Sequence, residues 1–381
     1  MKKAIPFTFN FLLFAGAASY VPFLVLYYQQ LGFSGAQISL LAGLPPLVTL
    51  VSSPFWTNVA DSTQRHKLIM SIGLVVVLGV MVAFPFLRTF ALVMFIVLLF
   101  NLFAAPLTSF ADSATMYMLA DEKEMYGRLR LGGTIGWGIA APIVGALISA
   151  YGLNMAFWGC AVTSFLGLIV SQGFSFGVPE ETKSKGSVRD LLSKRHWILF
   201  LALAFIGGFA FSSSVTYFSP YMKELGADEF IIGIALLVST LSEFPVFFFG
   251  DRLLKRFKSY GLLILALVVM GARSLLFAAS GTPILAVLVQ LLQGLTFPAL
   301  WIAGVAYADE HAPENLKSTA QGLFGAMTFG FGSAVGGLVG GVLLESMGGR
   351  ALFLVYGVVV LVSVAIISLI NKRSIRQNAQ V

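Results

Sequence analysis

The sequence is poor in cysteine, histidine and charge. It has one cysteine, three histidines and only 11% charged residues in 381 positions. A single cysteine excludes a disulfide framework, and no Cys/His spacing is typical of a metal site, so we expect neither metal nor cofactor. Charged residues make up about 25% of an ordinary soluble domain. The composition therefore excludes a typical soluble globular protein.

Two functional signatures are also missing. No Gly-x-x-x-x-Gly-Lys-Ser/Thr loop occurs in the chain, so direct use of ATP is not predicted. The few charges inside apolar runs are too widely spaced to form the cluster that an intramembrane enzyme needs. The net charge of +7 could attract nucleic acid, but the basic residues lie in short loops between apolar runs. We therefore predict a protein that is not an enzyme and does not bind nucleic acid.

Long apolar runs dominate the sequence, which is 58% hydrophobic with a mean hydropathy of +0.90. A membrane-spanning helix needs about 20 apolar residues. Runs of this length lie near 5–29, 37–60, 68–87, 90–118, 129–150, 155–177, 196–222, 229–250, 260–279, 283–308, 318–344 and 350–371. They predict an all-α polytopic membrane protein with twelve transmembrane helices. We divide it into an N-terminal six-helix bundle (1–177), a polar cytoplasmic linker (178–195) and a C-terminal six-helix bundle (196–381).

The distribution of Lys and Arg predicts the orientation in the lipid bilayer. An even number of spans puts both termini on one side, and the loops and tails of that side hold 19 Lys and Arg residues. The loops of the other side hold only Arg88, Lys223 and Arg350. Because cytoplasmic loops carry the basic excess, we predict a multi-pass protein of the cytoplasmic membrane with both termini in the cytoplasm.

The segment 126–137, YGRLRLGGTIGW, predicts a binding site. It puts Arg130, Thr134 and Trp137 on one face of a helix. An arginine facing hydrocarbon is costly, so Arg130 must face protein, water or a ligand. Asp112 and Arg130 both lie nine residues from position 121, in the charged break between two runs. The two side chains should therefore lie at similar depth, near the middle of the bilayer.

An acid and an arginine can together hydrogen-bond several hydroxyl groups in fixed geometry, and an aromatic ring can cover the apolar face of a pyranose. These residues therefore favour a sugar or a similar small polar solute. In the second half, a helical stripe would form a second polar and aromatic wall; its members are Gln290, Gln293, Phe297 and Trp301. The predicted substrate contacts from residue chemistry are Asp112, Arg130, Thr134, Trp137, Gln290, Gln293 and Trp301.

The two halves repeat each other at an offset of 190–196 residues. A parallel duplication of six spans is the plan of the major facilitator superfamily, which this chain resembles. The stretches that begin at Asp61 and Asp251 resemble the loop motif of that family, an acid followed by basic residues, although Thr57 and Phe247 replace its usual glycine. The resemblance implies a cytoplasmic gate of interhelical ion pairs, formed by Asp61, Arg65, Lys67, Asp251, Arg252 and Arg256.

Within that superfamily, segment 126–137 resembles the fourth-to-fifth helix region of lactose permease and its relatives, a branch that includes nucleoside and phenylpropionate symporters. The 18-residue spacing of Asp112 and Arg130 matches that branch, and Trp137 matches its sugar-stacking tryptophan. Tyr20 stands in a segment similar to its Tyr-x-Pro-Phe motif, which implies that Tyr20 lines the cavity. The resemblance implies alternating access and proton-coupled uptake of the substrate.

The resemblance also implies a proton-coupling network. Arg273 resembles an arginine of that network, but Gln293 and Thr296 occupy the positions of its histidine and glutamate. The three histidines fall in loops or at span ends. We therefore expect Glu243, beside Arg273, to carry the proton, with Asp112 as the other candidate. A purely structural ion pair between Glu243 and Arg273 remains an open alternative.

Other functions also remain open. The fifth apolar run has part of the small-residue pattern of antiporters, so proton-coupled efflux of a drug or metabolite is one alternative. Symport of a nucleoside or an aryl acid is another, and a non-transporting membrane sensor lies outside transport altogether. We expect a monomer whose partners are the substrate, protons and the lipid bilayer.

Overall fold

A computed structural model describes residues 4–120, 122, 125–177, 191–313 and 316–378, so most of the expected linker lies outside the described residues. All regular secondary structure in these ranges is helical. The prediction of an all-α protein with twelve long helices is confirmed. They are α1 (Ala4–Gln30), α2 (Gly35–Thr63), α3 (His66–Phe86), α4 (Phe90–Leu119), α5 (Tyr126–Tyr151), α6 (Asn154–Ser171), α7 (Arg195–Thr216), α8 (Glu229–Phe248), α9 (Gly250–Ala279), α10 (Pro283–His311) and the run Thr319–Asn371, which contains α11 and α12.

The last run is two helices rather than one. Its 53 residues would span about 80 Å as a single helix, far more than the hydrocarbon thickness of a bilayer, about 30 Å. Gly348 interrupts it with a φ of 78°, a left-handed conformation that glycine adopts without strain. The chain turns there, so α11 precedes Gly348 and α12 follows it.

The outward faces of the helices are apolar. Phe95 on α4, Ile169 on α6 and Val362 on α12 are exposed large hydrophobic side chains. Exposed apolar surface of this extent is unfavourable in water and is expected where lipid surrounds the protein. Each of the long helices is apolar enough to cross a membrane, so this is a multi-pass membrane protein.

The two halves share backbone details as well as helix order. Positive φ angles occur at Gly32 and Gly226, at Gln64 and Lys258, and at Gly152 and Gly348. These pairs are separated by 194, 194 and 196 residues, which agrees with the offset of the sequence repeat. The duplication therefore includes three turns of the first half, which end α1, α2 and α5. Their counterparts in the second half lie after α7, within α9 and before α12.

One aromatic cluster recurs in each half. The Tyr27 hydroxyl donates to the carbonyl of Phe84 at 3.3 Å, and both rings pack against Phe157. In the second half, the Tyr221 hydroxyl donates to the carbonyl of Phe277, and both rings pack against Phe353. The two six-helix bundles are thus built around equivalent contacts, as expected for the major facilitator fold.

The halves join along two helix pairs, α2 with α11 and α5 with α8. We call the side that carries both chain ends the terminal face and the other side the opposite face. In the first pair, contacts run from Gly35 beside Gly341 near the opposite face to Leu50 beside Gly330 at mid-helix. In the second pair, the Ser149 hydroxyl accepts from the backbone N–H of Phe230 at 3.2 Å, also near the opposite face. These contacts close the molecule on the opposite face.

The seam between α2 and α11 depends on small residues. A Cβ at Gly341 would lie 2.5 Å from the Ser39 hydroxyl oxygen and 2.6 Å from the Gly35 carbonyl oxygen. The Ser39 hydroxyl also accepts from the backbone N–H of Val342 at 3.0 Å. Small residues let helix backbones approach closely within a membrane. Any side chain at position 341 must therefore push the two helices apart.

We expect Gly341→Leu to open the opposite face, because leucine cannot fit against the backbone of α2. Spin labels at Ala36 and Ser346, both exposed near this seam, should move apart in the variant when distances are measured by pulsed electron paramagnetic resonance. Gly325→Leu is the matched control on the same helix, since a Cβ there meets nothing within 4 Å. An unchanged label distance in folded Gly341→Leu would contradict this account of the seam.

Candidate functional site

Close packing of α5 on α1 positions the candidate site. A Cβ at Gly132 would lie 2.4 Å from the Phe7 carbonyl oxygen, and one at Gly136 would lie 2.2 Å from the Phe11 carbonyl oxygen. Only glycine permits such distances, and the two glycines lie one turn apart on the same face of α5. The glycines of segment 126–137 therefore hold the first turns of α5 directly against α1.

This packing sets Arg130 over Phe14 and beside Asp112. The guanidinium carbon lies 4.3 Å from the centroid of the Phe14 ring, a distance at which a cation is attracted to an aromatic face. The Nε of Arg130 lies 3.9 Å from Oδ1 of Asp112. The two charged side chains thus meet between α4 and α5, at the common depth expected from their equal distance to position 121.

The pair is loose and partly accessible. The Asp112 and Arg130 side chains are 33% and 32% exposed. Their separation of 3.9 Å is too long for a hydrogen bond, and Oδ1 of Asp112, although buried, has no hydrogen-bond partner in the described part of the chain. A hydroxyl oxygen about 2.8 Å from both groups would form a triangle with them and satisfy both. The geometry suits a bridging hydroxyl group.

Other residues of the segment complete this part of the site. The Tyr126 hydroxyl interacts with both Asp112 and Arg130. The sequence analysis missed this residue, although its position one turn before Arg130 was a usable signal. Thr134 and Trp137 are half-buried farther along the same face of α5. Tyr20 lies elsewhere, in a cavity inside the N-terminal half, with its ring edge-on to Phe100 at 5.3 Å.

A second polar cluster lies between α8, α9 and α10. Arg273 is only 4% exposed and donates to the side-chain oxygen of Gln290 and, at 3.2 Å, to the Ser214 hydroxyl. Glu243 accepts from the side-chain nitrogen of Gln293 at 3.1 Å. Each charged group therefore hydrogen-bonds a glutamine of α10 rather than the other charged group. The structure does not form the ion pair that the sequence left open as an alternative.

An irregular segment of α10 presents these glutamines. Gln290–Leu295 is a 3₁₀-helix, and Thr296 has φ and ψ of −100° and −93°. Pro298, which follows at the second position of the next helix, has no N–H to bond the preceding turn. The regular stripe expected from Gln290 to Trp301 is therefore wrong, because the helix is interrupted at Thr296.

Trp301 belongs to an aromatic cluster instead. Its ring lies 5.7 Å from that of Phe324 and 5.6 Å from that of Phe329, both on α11. Phe329 also contacts Phe297 and Phe211, and it lies in a π-helical turn, Ala326–Gly332. Such turns are frequent at functional sites. The sequence analysis did not find Phe211 or Phe329, because helix spacing does not predict contacts with a π-helical turn.

The predicted gate residues lie on the terminal face. Asp61 contacts His66 at 2.8 Å, and Asp251 contacts Lys255 at 3.9 Å, so each acid is paired within its own half. Lys67 donates to the carbonyl of Gln172. The guanidinium of Arg252 lies over Phe249 and that of Arg256 over Phe257, while Arg65 is exposed.

Within the described ranges, no group of three or more His, Cys, Asp or Glu residues is placed to hold a metal ion.

Comparisons with known proteins agree with this architecture. The model of the MFS_1 like family matches residues 7–355. The chain is 29% identical to the maltose permease of Geobacillus stearothermophilus over 378 residues, which cover 98% of this chain and 95% of that protein. It is 26% identical to the staphyloferrin B transporter of Staphylococcus aureus over 381 residues, which cover 93% and 89% of the two chains. The crystal structure of the nucleoside transporter NupG superposes with a TM-score of 0.80 at 20% identity, covering 97% of this chain and 99% of that one.

The Arg273 cluster yields a stability prediction. We expect Gln290→Leu to lower the free energy of unfolding by about 2 kcal/mol, because it leaves a buried charged donor without its acceptor. The double variant Arg273→Met/Gln290→Leu should regain much of that loss, since it removes the charge as well. Thermal unfolding of purified protein, followed by intrinsic fluorescence, measures both effects. A double variant less stable than Gln290→Leu would contradict this interpretation of the cluster.

Proposed function

Because the chain belongs to the MFS_1 like family, whose members are membrane transporters, we propose that it carries a neutral polyhydroxylated solute, a sugar, by proton-coupled uptake. The observation that supports the substrate class is the loose pair of Asp112 and Arg130, with 3.9 Å between Nε and Oδ1. A sugar hydroxyl can donate to the carboxylate and accept from the guanidinium at the same time. A solute with its own charge would meet one group of like sign.

The surroundings of the pair also favour a sugar. Phe14 lies beneath Arg130, and Thr134 and Trp137 continue along the same face of α5. An aromatic ring and charged hydrogen-bonding groups together suit a ring that has hydroxyl edges and apolar C–H faces. The maltose permease to which the chain is similar over 98% of its length is named for a sugar, which supports the same substrate class.

A nucleoside is the second candidate. Its ribose also presents adjacent hydroxyl groups, and its base could stack on Trp137 or on the cluster around Trp301 and Phe329. A nucleoside would therefore use the Asp112–Arg130 pair in the same way. Because both substrate classes would use this pair, a binding panel that contains sugars and a nucleoside is needed to separate them.

Sidedness follows from charge. The loops and tails expected on the terminal face hold 19 Lys and Arg residues, which supports a cytoplasmic terminal face with both chain ends in the cytoplasm. The seams α2–α11 and α5–α8 close the opposite face, so this conformation would offer its site to the cytoplasm. In the alternate conformation, Asp61 and Asp251 would exchange their present partners for basic residues across the two halves. The bundles 1–177 and 196–381 would rock against each other about the two seams.

Glu243 is the proposed proton carrier. Its carboxylate accepts one hydrogen bond, from Gln293 at 3.1 Å, and Arg273 is occupied by Gln290 and Ser214. Glu243 is half-buried and is hydrogen-bonded to a neutral amide rather than to Arg273, so its carboxylate can take up a proton in this conformation. Approach of Arg273 in the alternate conformation would favour release of that proton.

We expect Asp112→Asn and Arg130→Lys each to weaken sugar binding by about thirtyfold or more, because Asp112→Asn removes the charge that would accept from the bridging sugar hydroxyl and Arg130→Lys removes the planar donor on its other side. Trp137→Tyr should cost less than about tenfold, since an aromatic face remains. Binding is measured by calorimetry on purified protein with maltose, glucose and lactose, beside uridine and phenylpropionate. Arg128→Lys, two residues away and exposed, is the matched control.

The same experiment distinguishes the alternatives. Binding of uridine alone would keep the site and replace the sugar by a nucleoside. Binding of phenylpropionate alone would contradict the proposal of a neutral substrate. If Arg130→Lys binds its ligand as tightly as the parent protein does, the pair is not the binding site.

We expect Glu243→Gln to abolish uphill accumulation of substrate while exchange of substrate continues, because glutamine fits the contact with Gln293 but cannot carry a proton. Both activities are measured in proteoliposomes, accumulation with an imposed proton gradient and exchange without one. Exchange serves as the internal control for folding. Uphill accumulation that survives in this variant would assign the proton to another group, with Asp112 the next to test.

A further inference from the structure

A cavity of about 210 Å³ lies inside the N-terminal half, between α1, α3, α4 and α6. It does not include either charged residue of the candidate site. One face of α1 lines it from Phe9 to Tyr20, and Leu74, Phe100 and Gly167 contribute from the other three helices. The sequence placed Tyr20 among the substrate contacts, but nothing in the proposed site explains a cavity here.

The cavity adjoins the Asp112–Arg130 pair through two shared walls. Phe14 lines the cavity and also stacks against the Arg130 guanidinium. Thr108 lines the cavity and lies one turn before Asp112 on α4. A substrate whose hydroxyl groups engage the charged pair therefore has an open volume beside it, on the N-terminal side of the site.

Most residues that line the cavity are apolar, and Thr163 and Ser164 already have partners within their own helix. The Thr163 hydroxyl donates to the carbonyls of Gly159 and Cys160 within its own helix. The hydroxyl of Ser164 lies beside the thiol of Cys160. The remaining lining residues are mainly leucine, phenylalanine, alanine and glycine. A sugar ring, which needs many hydrogen bonds, would lose more than it gains in this volume.

The volume matches a small apolar group. An apolar cavity of about 150 Å³ lined by leucine, isoleucine and phenylalanine stays dry and binds benzene. The present cavity, at about 210 Å³, is large enough for a phenyl ring. The hydroxyls of Tyr20 and Thr108, which line the cavity, have no hydrogen-bond partner among the described residues, so either can donate one bond to a glycosidic oxygen.

We propose that this cavity is an aglycone subsite, which takes a phenyl or similar apolar group attached to the sugar. The inference rests on the proposed function, because the sugar must be held by Asp112 and Arg130. It adds that the chain selects glycosides with an apolar substituent over those without one. The glycosidic oxygen would lie near Thr108, where the cavity meets the charged pair.

The test compares phenyl α-glucoside with methyl α-glucoside. Phenyl α-glucoside should bind the parent protein at least about tenfold more tightly, because it buries five more carbons than its methyl counterpart. Gly167→Leu should remove that advantage and leave the affinity for methyl α-glucoside unchanged. A side chain at Gly167 points into the cavity, and its Cβ contacts only Phe9, at 3.8 Å. Gly79→Leu on α3 is the matched control, since a Cβ there meets nothing within 4 Å.

Cys160 gives a second measurement that needs no variant. It is the only cysteine of the chain and it lines the cavity. Phenyl α-glucoside should slow its alkylation by N-ethylmaleimide several-fold, and methyl α-glucoside should not. This readout decides the matter if Gly167→Leu fails to fold.

The outcomes separate the two proposals. If methyl α-glucoside binds and the phenyl compound binds no more tightly, the subsite is overturned and the sugar site stands. The subsite is also overturned if Cys160 is alkylated at the same rate with and without bound phenyl α-glucoside, as expected when a lipid chain occupies the cavity. If neither glucoside binds but maltose, glucose or lactose does, the subsite is overturned and the sugar site stands; if no sugar binds at all, the proposed function falls with the subsite.

Discussion

The arrangement of this protein depends on the cost of a charge inside a membrane. Arg130 and Arg273 each lie within a helix that crosses the bilayer, where an unpartnered guanidinium is costly. The two are stabilised differently. Arg130 lies over the Phe14 ring and 3.9 Å from Asp112, whereas Arg273 is buried and donates to two neutral side chains, Gln290 and Ser214. The first arrangement is partly exposed and can meet a ligand, whereas the second is buried, although Nε of Arg273 has no hydrogen-bond partner among the described residues.

Glycine determines where those charges can lie. Gly132 and Gly136 let α5 approach the backbone of α1, and this contact sets Arg130 over Phe14. Gly294 does the same in the other half, where its N–H donates to the Ser242 hydroxyl at 3.1 Å and a Cβ would lie 2.1 Å from the Ser242 carbonyl oxygen. Helices in lipid have no hydrophobic force between them, so close packing of small residues takes its place. The glycines therefore position the site as directly as the charged residues form it.

The sequence predicted what depends on one helix or on symmetry, and it missed what depends on contacts between helices. Hydropathy predicted the twelve spans, and the common depth of Asp112 and Arg130 followed from counting residues along two helices. The contact of Arg130 with Phe14 joins α5 to α1, so no spacing within one helix reveals it. The regular stripe on α10 was wrong because Thr296 leaves helical geometry before Pro298. Whether the predicted site residues bind substrate stays a prediction.

The difference between the halves bears on how transport could be coupled. The backbone repeats itself closely, with matching positive φ angles and matching tyrosine hydrogen bonds, but the charges do not. The N-terminal half has a partly exposed pair beside an apolar cavity, and the C-terminal half has a carboxylate and a guanidinium separated by their own amide partners. If substrate engages Asp112 and a proton engages Glu243, the two do not compete for one carboxylate. Coupling would then have to pass through the seams α2–α11 and α5–α8, because these helix pairs join the two halves.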